Sequence, residues 1–208
     1  SMGLPAWTGV LAAIVICALV GVVVELVAYR PVRRKGTSMS ALITAIAMSL
    51  LLENLAQAIP AMGPNPRVIS DEIFSTAPIS IGGVSVNMAA VVTIIIAAIV
   101  MAALQLFVQK TKLGRAMRAV SENKEASTLV GINVNRTIVT TFAIGSGLAA
   151  VAALMYCAQY HTVTTTMGSM LGLKAFVAAV MGGIGLIPGA MLGGIVVGII
   201  EALVTAYI

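Results

Sequence analysis

The sequence predicts an all-α integral membrane protein: a multispan helical bundle with a re-entrant half-helix and a short cytoplasmic helix between spans. Three observations carry this. Of 208 residues, 60% are hydrophobic and 9% are charged, against about 25% charged in soluble domains. The mean hydropathy is +1.07, and a soluble globule of this composition could not clothe itself in polar side chains. The apolar residues also fall into runs close to the roughly 20 residues that a helix needs to cross a hydrocarbon core.

The first run is Trp7 to Tyr29, bracketed by aromatic residues of the kind that anchor a span at the interface. No basic stretch precedes it and no small-residue cleavage site closes it, so it reads as a span rather than a signal peptide. Arg30, Arg33, Arg34 and Lys35 follow, and a second basic block runs from Lys110 to Arg136. Together these blocks hold ten of the twelve Lys and Arg residues. Basic clusters beside apolar spans mark cytoplasmic loops, which fixes the expected topology. Spans are expected over about 7–29, 38–59, 87–108, 137–159 and 190–208, with a cytoplasmic loop over 110–136. The net charge of +5 does not point to nucleic acid, because aromatics are only 4% and do not interleave with the basic residues.

The second run, Ser38 to Ile59, is the most polar, and Pro60, Pro64 and Pro66 stop it. Ala61 to Val86 is an outer loop with Asp71 and Glu72, and the alternation from Ala77 to Val86 allows a short hairpin around Gly82-Gly83. The third run is uncharged. His161 to Lys174 is a polar, Thr- and Met-rich outer segment. Ala175 to Met181 is apolar, but seven residues reach only about 10 Å. Gly182 to Gly189 then breaks any helix. A broken helix in a membrane is tolerated where protein buries it or a watery cavity bathes it. A re-entrant element over about 174–189 is therefore expected, with one long kinked helix as the alternative. The chain stops at Tyr207-Ile208 without a polar anchor, as a fragment would.

Few residues offer chemistry. Cys17 and Cys157 lie inside apolar runs and read as small buried hydrophobes. His161 is the single histidine, and Cys157 one turn back does not make a metal site. There is no phosphate-binding Gly-x-x-x-x-Gly-Lys-Ser/Thr loop and no nucleophile, base and orienter set. No catalytic residue, cofactor or metal is predicted. Glu53 and Gln57 share a face of the second span with Ser49, and Asn54 sits beside them. They form either a polar wall of a translocation path or a hydrogen-bonding clamp between helices. Glu25 is expected to snorkel or to pair with Arg30. Glu201 is expected to approach the outer interface. Gly189-x-x-x-Gly193 and Gly194-x-x-x-Gly198 are faces that allow close helix approach. Gly182, Gly183 and Gly185 could instead present backbone groups to a passing solute.

The basic loop is the most informative soluble stretch. Ser121 is a plausible N-cap, Glu122 and Glu125 suit a first turn, and Gly131 suits a helix end. Glu122 to Val130 would form a helix of about 13 Å with Ala126, Leu129 and Val130 on one face. It could fill a partner's groove or lie on lipid headgroups.

Glu125-Ala126-Ser127-x-x-x-Gly131 resembles the Glu-Ala-Ala-x-x-x-Gly motif of ABC-importer permeases, with Ser127 departing from the second Ala. Gly114-Arg115-Ala116-Met117-Arg118-Ala119, Gly131-Ile132-Asn133-Val134 and Ala28-Tyr29-Arg30-Pro31 extend the likeness. So do Leu42-Ile43-Thr44-Ala45-Ile46 and Gly182-Gly183-Ile184-Gly185 with Pro188-Gly189-Ala190. In order along the chain, these strings are similar to the permease subunit of branched-chain amino-acid ABC transporters. The resemblance implies a multi-pass protein of the bacterial inner membrane that moves a small-molecule substrate. Its implied partners are ABC ATPase subunits, a second permease subunit, an extracytoplasmic substrate-binding protein and the surrounding lipid. Gly114, Arg115, Arg118, Glu122, Glu125, Ala126 and Gly131 would be the coupling contacts to the ATPase. Glu53, Asn54, Gln57, Gly182, Gly183 and Gly185 would line the pathway. On physics alone, a passive channel remains the alternative.

Overall fold

The computed structural model describes residues 6–35, 38–59, 67–68, 79–81, 84–86, 88–160 and 162–207. Pro60, Pro64, Pro66, Ser70, Asp71, Glu72, Gly82, Gly83 and His161 lie outside the described residues.

Helix α1 (Ala6–Val24) passes through a π-helical turn (Glu25–Tyr29) into α2 (Arg30–Lys35). After α3 (Ser38–Ala58) come β1 (Arg67–Val68) and the antiparallel pair β2 (Ile79–Ile81) and β3 (Val84–Val86). That pair is the hairpin expected from the alternation. Next are α4 (Met88–Lys110), α5 (Lys112–Glu122), α6 (Lys124–Leu129) and α7 (Val134–Tyr160). The chain closes with β4 (Thr162–Val163), α8 (Met167–Met181) and α9 (Ile187–Tyr207).

By length and composition, four helical stretches suit a membrane crossing: Thr8–Arg33, Met88–Lys110, Val134–Tyr160 and Ile187–Tyr207. Helix α3 has 21 residues, and its apolar stretch, Ile43–Ala58, carries Glu53, Asn54 and Gln57 toward its end. The helices are apolar nearly all round, as membrane helices are. Val27, Ile43 and Ile94 are 69%, 68% and 66% exposed. Cys17, expected to be buried, is exposed on α1, because this face of α1 has no neighbour among the described residues of this chain.

Helix α1 packs along α7. At Gly21 the backbones approach so closely that a Cβ would sit 1.9 Å from Ser146 Oγ. Tyr29 and Phe142 stack below it at 4.9 Å. Strand β1 pairs with β4, Arg67 opposite Val163. This joins the chain after α3 to the chain after α7, so both helices end on the side remote from the basic loop.

Helices α8 and α9 form an antiparallel hairpin. A Cβ on Gly182 would lie 2.0 Å from the Gly189 carbonyl oxygen, and one on Gly193 would lie 2.1 Å from that of Ala178. Gly189 and Gly193 are thus the close-approach face, whereas Gly194 and Gly198 look into open space. The kinked-helix alternative fails, because Lys174 of α8 bonds to Glu201 of α9 across the hairpin. In one continuous helix those residues would be about 40 Å apart. The short arm begins at Met167 rather than near residue 174. Met and Leu there are good helix formers, so Met167–Lys174 is helix and not loop.

Candidate functional site

The basic loop folds as two helices. Helix α5 turns back on the end of α4, where Gly114 is buried and a Cβ would come 2.4 Å from Val108 Cα. Thr111 caps it, accepting from Gly114 N–H at 3.0 Å. Gly114 therefore positions the loop and offers no exposed contact surface. Helix α5 is amphipathic: Ala116, Met117 and Val120 turn inward, and Arg115, Arg118 and Glu122 share the outer face.

The expected N-cap at Ser121 is not found. Ser121 Oγ donates to Arg118 O at 2.7 Å, inside α5. Asn123 makes the break instead, with φ −150 and ψ 111, and its Oδ1 accepts from Glu125 N–H and Ala126 N–H at 3.0 Å each. Either side chain can cap, but the preceding helix α5, not expected from the sequence, runs on through Glu122, so the expected helix begins two residues later, at Lys124. Glu122 thus ends α5, while Glu125 sits in the first turn of α6, where it favours the helix dipole. Gly131, at φ +83, closes α6 as expected, with Gly131 N–H donating to Thr128 O and Ile132 N–H to Ser127 O. Ser127 is buried, and its hydroxyl donates to Asn123 O at 2.8 Å. A small residue whose hydroxyl is satisfied one turn back substitutes there for Ala.

Between α5 and α6 lies an open notch of about 510 Å³ lined by Arg115, Arg118, Ala119, Glu122, Asn123 and Ala126, with Ser127, Val130 and Ile132. Beside it Leu129 and Val130 stand 88% and 80% exposed. The loop offers a charged recess and an apolar tip together.

A second arrangement links this loop to α1. Glu25 is fully buried and pairs with Arg33 at 2.8 Å, not with Arg30. The π-helical turn explains the choice. One extra residue per turn brings position i+8 onto the face that i+7 occupies in an α-helix, and Arg33 leans back toward the N-terminus. The same guanidinium lies 3.4 Å from Asn135 Oδ1 at the start of α7. Asn133, next to it, caps α7 by accepting from Arg136 N–H. Glu25 Oε2 is buried with no hydrogen-bond partner among the described residues. The sequence hid this link because a π-turn leaves no hydrophobic period to read.

The expected pathway residues form two separate groups. Glu53 is half-buried, with Oε2 3.4 Å from Ser169 Oγ at the start of α8. That hydroxyl also lies 2.8 Å from Thr166 O, and its one proton serves one acceptor at a time. Asn54 Nδ2 donates to Leu50 O of its own helix, and Gln57 is half-buried beside it. Gly182, Gly183 and Gly185 lie at the other end of α8, about 20 Å away. Gly183 and Gly185 adopt φ +92 and +101, and Gly182 touches Gly189, so the turn itself requires all three. Between α4, α7, α8 and α9 lies a largely apolar cavity of about 590 Å³, with Thr93, Tyr156 and Gln159 toward its end remote from the basic loop. Among the described residues no group of three His, Cys, Asp or Glu side chains could hold a metal.

Four apolar helices of spanning length, a hairpin of one short and one long helix, and a helical loop held out from the bundle define a multi-pass membrane protein. The chain belongs to the family of the branched-chain amino acid transport system permease component, whose pattern it matches over residues 1–208. It is 40% identical over 199 residues to the high-affinity branched-chain amino acid transport system permease protein BraD of Pseudomonas aeruginosa, covering 92% of this chain and 62% of that protein. It is 40% identical over 208 residues to the corresponding protein LivH of Escherichia coli, covering 96% of this chain and 65% of that protein. The autoinducer 2 import system permease protein LsrC of Klebsiella pneumoniae is 40% identical over 80 residues, 38% of this chain and 23% of that protein. The chain spans less than two thirds of the length of these relatives. No solved structure matches it significantly.

Proposed function

We propose that this chain is the transmembrane permease subunit of an ATP-driven importer for amino acids, with branched-chain amino acids as the substrate class. The observation that carries this is the α5–α6 loop: a charged notch and an exposed apolar tip, both held rigid by caps at Thr111, Asn123 and Gly131. Its family membership and the names of its relatives support the substrate class. ATP binding and hydrolysis belong to a separate ATPase subunit that seats on this loop from the cytoplasm. Arg115, Arg118, Glu122, Glu125, Ala126 and Gly131 meet that subunit, and Gly114 holds the loop in place. A second permease subunit and an extracytoplasmic binding protein complete the assembly.

Movement of the loop reaches the bundle through α7 and the Arg33 bridge to Glu25. The pathway runs along α8, from Glu53 and Gln57 at its outer end to the Gly182–Gly185 turn. A passive channel has no use for a capped helical loop outside the bundle, which weighs against that alternative. The test uses Glu125→Arg and Gly131→Trp in the assembled transporter. Both are expected to lose the ATPase on co-purification and to lose ATP-dependent uptake. Retention of both properties by both variants would show the coupling assignment to be wrong. Cysteines at Ser70 and Ser121 are expected to label from opposite sides of the membrane.

A further inference from the structure

The Lys174–Glu201 ion pair occupies an unusual place. Lys174 lies seven residues into α8 and Glu201 six residues before the end of α9. Both are therefore about 10 Å inside the hairpin from its end remote from the basic loop. The neighbours along these helices are apolar or small. The two side chains are nevertheless 46% and 50% exposed, so this chain does not enclose them. Lipid solvates charge poorly, and charged groups at such depth face protein or a water-filled space.

The helix faces say which space. Ala175 and Ala178 line the apolar cavity, and Lys174, one position before the first and one turn before the second, stands at the edge of that face of α8. Ile187, Ala190, Met191 and Gly194 line it from α9, and that face continues through Gly198 to Glu201. The pair therefore stands at one end of the cavity, beside the Tyr156 and Gln159 side of its wall. The volume, about 590 Å³, falls in the range of small-molecule sites, roughly 300–1,000 Å³.

An ammonium and a carboxylate beside an apolar recess match one ligand chemistry: a zwitterionic amino acid with an aliphatic side chain. The geometry points to Lys174 and Glu201 as a substrate-binding station, in which Lys174 takes the carboxylate, Glu201 takes the ammonium and the cavity takes the side chain. This rests on the permease reading above. In the free state the two groups neutralise each other, so the empty site does not leave bare charge in the bundle. A ligand inserts between them and exchanges one ion pair for two.

The test separates a ligand station from a simple clamp between helices. In the assembled transporter, reconstituted with its ATPase and binding protein, Lys174→Glu and Glu201→Lys are combined. The swapped pair restores attraction between the helices but reverses the order in which a side-chain-anchored zwitterion meets the charges. Uptake of labelled leucine is expected to fall roughly tenfold or more. Uptake equal to that of the parent overturns the proposal and leaves a clamp.

A second measurement does not depend on the swap folding. Gly194→Cys, where an added Cβ meets nothing within 4 Å, is made with Cys17 and Cys157 replaced by Ala. A small membrane-impermeant thiol reagent is expected to label it in the working transporter, and leucine to slow the labelling. Absence of labelling, or labelling indifferent to leucine, overturns the proposal. A parent transporter that takes up no amino acid on ATP would instead sink the permease reading itself.

Discussion

The two ends of the bundle handle charge in opposite ways. At the basic-loop end Glu25 is wholly enclosed and Arg33 is 23% exposed. At the other end Lys174 and Glu201 form the same kind of pair with about half of each side chain open. An enclosed pair holds one geometry, because separating it leaves a charge stranded in a low-dielectric interior. An open pair can part and meet something else at little cost. The first suits a joint that transmits movement, and the second suits a place that is visited.

The comparison can be broken by mutation. The largest effect is expected at Glu25→Gln, which strands Arg33 and should cost about 3 kcal/mol of stability, read as a shift in detergent unfolding. The combined Glu25→Leu and Arg33→Met change should recover much of that loss; if it does not, the pair does more than satisfy itself. Next comes Gly182→Ala, whose Cβ would collide with the Gly189 carbonyl and should cost about 2 kcal/mol. Gly194→Ala, facing open space, should cost almost nothing. Asn123→Ala removes the cap of α6 and should cost about 1 kcal/mol, seen as faster amide exchange over Lys124–Leu129. Ser121→Ala should leave that exchange unchanged, which sharpens the assignment of the cap. The smallest effect on folding is expected for Glu201→Gln, whose consequence should instead appear in uptake. A large unfolding shift there would erase the contrast between the ends.

What the sequence disclosed follows physical range. The long apolar runs, the 79–86 hairpin and the helix end at Gly131 are local signals, and each reappears in the structure; the break expected over Gly182–Gly189 narrows to 182–186, because Ile187, Pro188 and Gly189 form the first turn of α9. The features misplaced or missed are of two kinds. Ser121 and Asn123 are both good caps two residues apart, and only the packing of α5 against α4 decides between them. Arg33 as the partner of Glu25, and Lys174 as the partner of Glu201, depend on a change of helical winding and on a chain reversal. Neither leaves a periodic trace. Glu53 was legible as unusual, but its neighbour Ser169 comes from a helix 116 residues away.

The π-helical turn at Glu25–Tyr29 has a consequence for how this helix tolerates change in length. It holds one residue more than ordinary winding needs, so the helix carries a spare. Losing a residue between Leu26 and Ala28 would leave a regular, unbroken helix of the same rise. Everything after it would keep nearly its height and its facing, because the deletion removes the very residue that the wide turn absorbs. Arg33 would stand seven positions after Glu25 in an ordinary helix, on the face it already shares with Glu25, and the basic segment beyond would keep its side toward the basic loop. A deletion inside the turn is absorbed, whereas one in α2 ahead of Arg33, where the winding is ordinary, would rotate the basic segment by about 100° and take Arg33 off the Glu25 face.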